Sequence, residues 1–222
     1  MIDPVLAFDT STGATAAAVL VDGVPFERRE EAVVGSRPRH SPDLLRLASE
    51  ALERAEVTLG EIRTVAVGTG PGSFTGLRVG LAAALGLSRG LGLEPVGVCS
   101  LRALIAGAGD PGRTVVGLID ARRGELFASV RPPGKESGDP FTVPVDDVSR
   151  IGGPGVLCVG DGAVAARAGI EAAGGEVPPD HDPRHLVLAA EIAALANSPD
   201  SKGGDVLPRY VRPPDAVPKA ER

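Results

Sequence analysis

The chain has 222 residues, a formal net charge of −6 and only 3% aromatic residues. That length can bury one larger core or two small ones. The acidic balance and the scarcity of aromatics argue against a nucleic-acid binder working alone, which needs a basic face and stacking rings.

The N-terminal stretch MIDPVLAF has no basic region and too short an apolar run for a secretory signal. Strands are predicted at Val5–Phe8, Thr15–Val21 and Val24–Ala32, which are short, β-branched or alternating and separated by STG and DG turns. Arg28, Arg29, Arg37 and Arg39 are the only basic-leaning stretch; Glu27, Glu30 and Glu31 dilute it, so a solvated strand edge is expected. SPDLLRLASEALERAEV then reads as an amphipathic helix, with Ser41 as N-cap and Pro42 in the first turn. Its apolar side carries Leu44, Leu45, Ala48, Leu52 and Ala55.

Thr64–Val67 has the composition of a buried strand, and a second helix is predicted over Thr75–Leu91 with Thr75 as its cap. Between them lies GTGPGSFTGLRVG, which has the look of a phosphate-binding loop. A Walker loop needs lysine and a hydroxyl residue directly after its last glycine, whereas Gly76 is followed by Leu77 and Arg78. A dinucleotide fingerprint needs a third glycine where Thr75 stands, and Pro71 removes a donor from the loop. Within the helix, Gly76, Gly80 and Ala84 recur every fourth residue, as do Ala82, Gly86 and Gly90. Glycine inside a helix costs roughly 0.5–1 kcal/mol relative to alanine, so close packing should offset it. Packing on the chain's own sheet and docking of a partner helix both satisfy that demand.

Glu94–Cys99 is a further strand and Ser100–Ala106 a third helix. The run around Val79 to Leu87 is the longest apolar stretch and is too short to span a bilayer, so a cytoplasmic chain with no membrane contact is expected. Cys99 and Cys158 sit in apolar strand-like runs and read as buried reduced thiols. In the second half, Thr114–Asp120 and Glu125–Arg131 form a hairpin around ARRG, with Phe141–Val145 as a weaker third strand. Val156–Val159 is a buried strand, followed by helices at Gly162–Ala173 and Arg184–Asn197. Three strands followed by alternating helix and strand thus occur twice, without obvious identity between the halves.

That order resembles the actin-like ATPase (ribonuclease-H-like) duplicated α/β fold, two lobes each with a mixed sheet and flanking helices. The lobes are expected at 1–106 and 107–212, joined at the linker-like AGAGDPGR, with a disordered tail at 213–222. A nucleotide cleft would be formed by Asp9, Thr10 and Ser11 on one side and Gly160, Asp161 and Gly162 on the other. Neither turn supplies a general base or a lysine for phosphoryl transfer, and both are ordinary turn chemistry as well. His181 and His185 have the i, i+4 spacing of a helical metal pair, but Pro183 intervenes and no third ligand is evident, so no metal is expected.

RHSPDLL at 39–45, AVGTGPGSFTGLRVGLAAALGLSRGL at 66–91, PVGVCSLRAL at 95–104, LIDARRGELF at 118–127 and PRYVRPP at 208–214 resemble the TsaB (YeaZ-like) family. The likeness runs along nearly the whole chain. It implies a non-catalytic scaffold and activating subunit in the formation of threonylcarbamoyladenosine on tRNAs that read A-starting codons. The implied partners are a catalytic TsaD-like paralogue and, in the same complex, a TsaE-like ATPase; tRNA is met only through the complex. Alone, the chain would be a homodimer. No cofactor is required, and adenine nucleotide is expected only in the complex. The catalytic paralogue binds a metal through two histidines four apart; Ser100 and Leu104 stand at those places here, and leucine cannot ligate a metal. Members pair through their first two helices, which places the partner interface at Leu44, Leu45, Ala48, Leu52, Gly76, Arg78, Val79, Gly80 and Ala83. The alternative reading is a small actin-fold ATPase or kinase with its own turnover; a peptidase finds no nucleophile set here.

Overall fold

β1 (Val5–Asp9) is buried along its whole length, so both of its faces must be covered. The computed structural model, which describes residues 3–31, 40–198 and 206–211, shows how. β1 pairs antiparallel with β2 (Ala14–Val21), and β2 with β3 (Val24–Glu31); on its other side β1 pairs parallel with β4 (Thr64–Gly68), and β4 with β5 (Val96–Val98). The sheet order is β3-β2-β1-β4-β5. The second half repeats the pattern with β6 (Thr114–Arg122), β7 (Glu125–Arg131), β8 (Phe141–Pro144) and β9 (Val156–Val159), in the order β8-β7-β6-β9. Again the first strand is antiparallel to the second and parallel to the fourth. This is the duplicated actin-like arrangement of two mixed sheets with flanking helices.

Strand alternation divides the side chains between two layers. Leu6 and Phe8 meet α1 (His40–Arg54) and α2 (Phe74–Leu91) through Leu44, Leu47, Leu77 and Leu81. Val5 and Ala7 face the other way, into a core shared with α3 (Ser100–Gly107), β6 and α6 (Ala189–Ala196). The halves exchange helices. α6 lies on the first sheet, and α3, which precedes the 108–113 connection, lies on β6 and β7. Gly117 makes room for α3, since a Cβ there would stand 2.9 Å from Ile105 Cγ1. On the outer face of the second sheet, Val116 and Leu118 pack against α4 (Asp161–Ala165) and α5 (Arg167–Ala172) through Ala163 and Ile170.

Several boundaries differ from expectation for tertiary reasons. α1 begins at His40, inside the described residues, one position before the expected Ser41 cap. α2 is capped by Ser73, whose hydroxyl accepts from the Gly76 N–H at 3.3 Å, and not by Thr75. The helix expected over 162–173 breaks at Ala166, whose φ of −101° and ψ of 11° leave the helical basin. Arg167 beside it turns its guanidinium to the carbonyls of Val177 and Pro178. The helix expected from Arg184 starts only at Ala189, because Pro183–His185 forms a 3-10 turn tied elsewhere and Leu186 is extended. β3 is an edge strand, and its arginines meet carboxylates: Arg28 pairs with Glu50 at 3.2 Å, and Arg29 lies 3.9 Å from Glu27 and from Glu31. Ala32, Arg37, Arg39 and the tail at 213–222 lie outside the described residues.

Candidate functional site

β1 delivers Asp9 into the protein interior, where it is 1% exposed. Its Oδ1 accepts from the Ser11 N–H at 2.9 Å and the Ser11 hydroxyl at 2.8 Å. Its Oδ2 accepts from the Ser100 hydroxyl at 2.9 Å, and Ser100 Oγ accepts in turn from the Gly70 N–H at 3.1 Å. Burial pushes the Asp9 carboxyl up to about 6, against the opposing pull of these hydrogen bonds. Thr10 and Ser11 are buried too. Thr10 Oγ1 donates to the Gly76 carbonyl at 2.7 Å, and the Ser73 N–H donates to the Ser11 carbonyl at 2.7 Å.

These contacts explain the glycine-rich loop. A Cβ at Gly68 would lie 1.9 Å from Asp9 Oδ2, at Gly72 2.2 Å from Ser11 O, at Gly76 2.0 Å from Thr10 O, and at Gly80 2.5 Å from Thr10 Oγ1. The loop and the first turns of α2 are glycine because they rest on the Asp9–Thr10–Ser11 turn, on its backbone at Gly72 and Gly76 and on its side chains at Gly68 and Gly80. The ridge of Gly76, Gly80 and Ala84 therefore faces inward. Gly76 and Gly80 have no face to offer a partner, which corrects their expected place in a docking surface. Leu44 and Ala48 are likewise turned into the core, at 1% and 5% exposure. The second small-residue row, Ala82, Gly86 and Gly90, is the solvent side of α2.

Of the other expected interface residues, Leu45, Arg78, Val79 and Ala83 lie on one concave surface. This is a groove of about 490 Å³ between α1 and α2, lined by those four residues with Ser41, Phe74, Thr75 and Ala82 and floored by the buried Leu44. Leu45 and Phe74 are 56% and 53% exposed, and both line this one groove. Leu52 is half-buried and packs into the core below.

The second expected turn lies after β9. Gly160 has φ +108°, and a Cβ on it would stand 2.0 Å from Leu118 O. Asp161 Oδ1 accepts from the Asp120 N–H at 3.0 Å. His185 is buried beside this turn, with Nδ1 3.1 Å from the Gly160 nitrogen and Nε2 3.1 Å from the Pro178 carbonyl. A tautomer that donates from Nε2 and accepts at Nδ1 satisfies both. His181 is exposed on the approach to the 3-10 turn, so the pair does not share a helical face.

Two features escape the sequence pattern. His40, buried at the start of α1, places Nδ1 2.8 Å from Thr15 Oγ1, and burial lowers its pKa despite Asp43 nearby. The Arg209 N–H donates to the Thr69 carbonyl at 2.8 Å, while the Tyr210 ring lies 5.8 Å from that of Phe74. Long-range contacts of this kind leave no local periodicity; only the PRYVR motif marks the second.

Residues 35–156, more than half of the chain, match the family described as TsaD: tRNA N6-adenosine threonylcarbamoyltransferase. An uncharacterized protein of Mycobacterium tuberculosis is 33% identical over 224 residues, covering 99% of this chain and 96% of that one. The tRNA threonylcarbamoyladenosine biosynthesis protein TsaB of Escherichia coli is 36% identical over 126 residues, which is 55% of this chain and 52% of TsaB. The match thus spans about half the length of TsaB. Among solved structures, a Pseudomonas aeruginosa protein described as similar to peptidase YeaZ superposes with a TM-score of 0.74 at 25% identity, over 95% of this chain and 100% of that one. Among the described residues, no helix is long and apolar enough to cross a membrane. By sequence and by fold, the chain belongs to the TsaB (YeaZ-like) family.

Proposed function

We propose that this chain is a non-catalytic subunit in the formation of threonylcarbamoyladenosine on tRNA, and that it works by docking the catalytic TsaD-like paralogue through the α1–α2 groove. The carrying observation is the groove itself, which Leu45 of α1 and Phe74 of α2 both line while exposed. A groove of this kind suits a helix laid along it. The Asp9 turn supports the same reading from the other side. Its carboxylate is committed to Ser11 and Ser100, and the loop of α2 rests on its backbone. Ser100 and Leu104, at the paralogue's ligand places, are built into the core.

Nucleotide and tRNA chemistry then belong to the partners, the TsaD-like paralogue and a TsaE-like ATPase. One groove holds one tight partner, so the homodimer and the heterodimer compete for it. Light scattering on a mixture with the paralogue tests this: homodimer should convert to heterodimer with no larger species. A ternary assembly of both dimers, or steady-state ATP hydrolysis by the pure chain that Asp9→Ala abolishes, overturns the reading.

A further inference from the structure

Among the described residues that line the α1–α2 groove, Arg78 is the one charged side chain. Its guanidinium carbon lies 3.8 Å from the centroid of the Phe74 ring. Stacking of this sort holds the group in place and leaves its N–H edges open for a planar acceptor. On neighbouring α1, Arg46 is shared by Glu30, Asp43 and Glu50. Among the ion pairs of the described residues, none involves Arg78. Among the described residues it is a cation without a counter-charge, stacked on Phe74 in an apolar surface.

The ring under Arg78 is itself propped. Phe74 is the first residue of α2, and Tyr210 packs on it with the two ring planes 30° apart. The segment 206–211 that carries Tyr210 is tied at several points. The Arg209 N–H donates to the Thr69 carbonyl, Val206 packs on the α1–α2 core, and Val211 packs on the core between the sheets. The strap is therefore tied to Thr69 at the start of the glycine-rich loop and meets the groove at the Phe74 ring.

We infer that Arg78 receives an Asp or Glu carboxylate carried on an otherwise aliphatic helix of the partner, and that Tyr210 is a positioning residue that presents Arg78 through Phe74. The inference rests on the docking reading above and adds the chemistry of the occupant. A partner that covers the groove takes Arg78 out of water, and a desolvated guanidinium left unpaired opposes binding. An aliphatic helix satisfies Leu45, Val79 and Ala83, and one carboxylate satisfies Arg78 with two parallel hydrogen bonds. The chain's net charge of −6 makes a broadly acidic partner unfavourable, so the recognition is local to this one pair.

The test measures affinity by titration calorimetry against the paralogous threonylcarbamoyltransferase of the same genome, for four variants: Leu45→Arg, Arg78→Gln, Tyr210→Ala and Tyr210→Phe. The expected result is a loss of about tenfold or more for Leu45→Arg and Arg78→Gln, typical of a central interface residue. Tyr210→Ala should lose about threefold to tenfold, as a residue acting through another, while Tyr210→Phe keeps the ring and the wild-type affinity. All three positions are at the surface, and unchanged melting curves confirm folding; a fifth variant, Arg78→Lys, which keeps charge but not the planar fork, should fall between wild type and Arg78→Gln. Wild-type affinity in Leu45→Arg overturns the docking reading itself. Loss in Leu45→Arg with wild-type affinity in Arg78→Gln overturns the carboxylate inference alone, and wild-type affinity in Tyr210→Ala overturns the role of the strap.

Discussion

Adding one methyl group to α2 should have opposite effects at two glycines ten residues apart. At Gly76 the new Cβ would lie 2.0 Å from Thr10 O, where ordinary contact begins at 3.4 Å, so backbone must move away from backbone by more than an ångström. That overpacking costs about 1–3 kcal/mol. The Thr10 hydroxyl bond to the Gly76 carbonyl, 2.7 Å long, is strained or lost at about 1 kcal/mol. The gain in helix propensity from alanine returns about 1 kcal/mol. The net loss for Gly76→Ala is therefore about 1–3 kcal/mol, or a fall in Tm of roughly 3–10 °C for a chain of this size. At Gly86 nothing lies within 4 Å of the added Cβ. Only the propensity gain applies there, so Gly86→Ala should raise stability by about 0.5–1 kcal/mol. Differential scanning fluorimetry followed by urea titration measures both. If Gly76→Ala melts at or above wild type, the close approach of α2 to the Asp9 turn is wrong, and with it the explanation of the glycine-rich loop.

Asp9 gives a second expectation, with its sign fixed by burial. Its carboxyl rises from 3.8 to about 6 on folding, so the folded chain keeps a proton that the unfolded chain releases in that interval. The stabilisation is fully present below about pH 4 and is lost as pH rises through about 6, a total near 3 kcal/mol at about 1.4 kcal/mol per pKa unit. Urea midpoints at about pH 4.5 and about pH 7 should shift less in Asp9→Asn than in wild type; equal shifts contradict the assignment. Burial pushes the Cys158 thiol up to about 12 and raises Cys99 as well, so native protein at neutral pH should react with a thiol reagent far more slowly than unfolded protein. Prompt labelling of Cys158 would show that β9 opens readily. His185→Ala should leave the Gly160 N–H and Pro178 carbonyl unmatched and lower stability by about 1–3 kcal/mol, with no zinc in elemental analysis of either protein. Stoichiometric zinc that vanishes in the variant contradicts a purely structural histidine.

The strands were readable because alternation and β-branching report burial directly, and Val156–Val159 falls where it is expected. The helix ends were less so. Ser73 and Thr75 are both acceptable caps locally, and the choice falls to Ser73 because its N–H is tied to Ser11. The delayed start of α6 follows from His185 bonding across the fold to Gly160 and from Glu27 accepting the Ala190 N–H at 2.8 Å, neither visible in a local window. The small-residue ridges were legible as ridges, but their direction was not, since residues four apart share a face without saying which face is inside. The structure turns Gly76 and Gly80 onto Thr10 and leaves Ala83 and Arg78 on the groove. Ser100 shows the same limit: sequence marks it as a lost ligand, and only the fold shows its hydroxyl holding Asp9.

Hydrogen–deuterium exchange of the chain, alone at low concentration and then with the catalytic paralogue, tests the docking proposal most directly. The account predicts new protection on the groove side of α1 and α2, from Ser41 to Leu52 and from Phe74 to Ala83, together with the strap at Arg209–Val211. The turns at Asp9–Ser11 and Gly160–Gly162 should exchange as before. Protection confined to those two turns, with α1 and α2 unchanged, would contradict it.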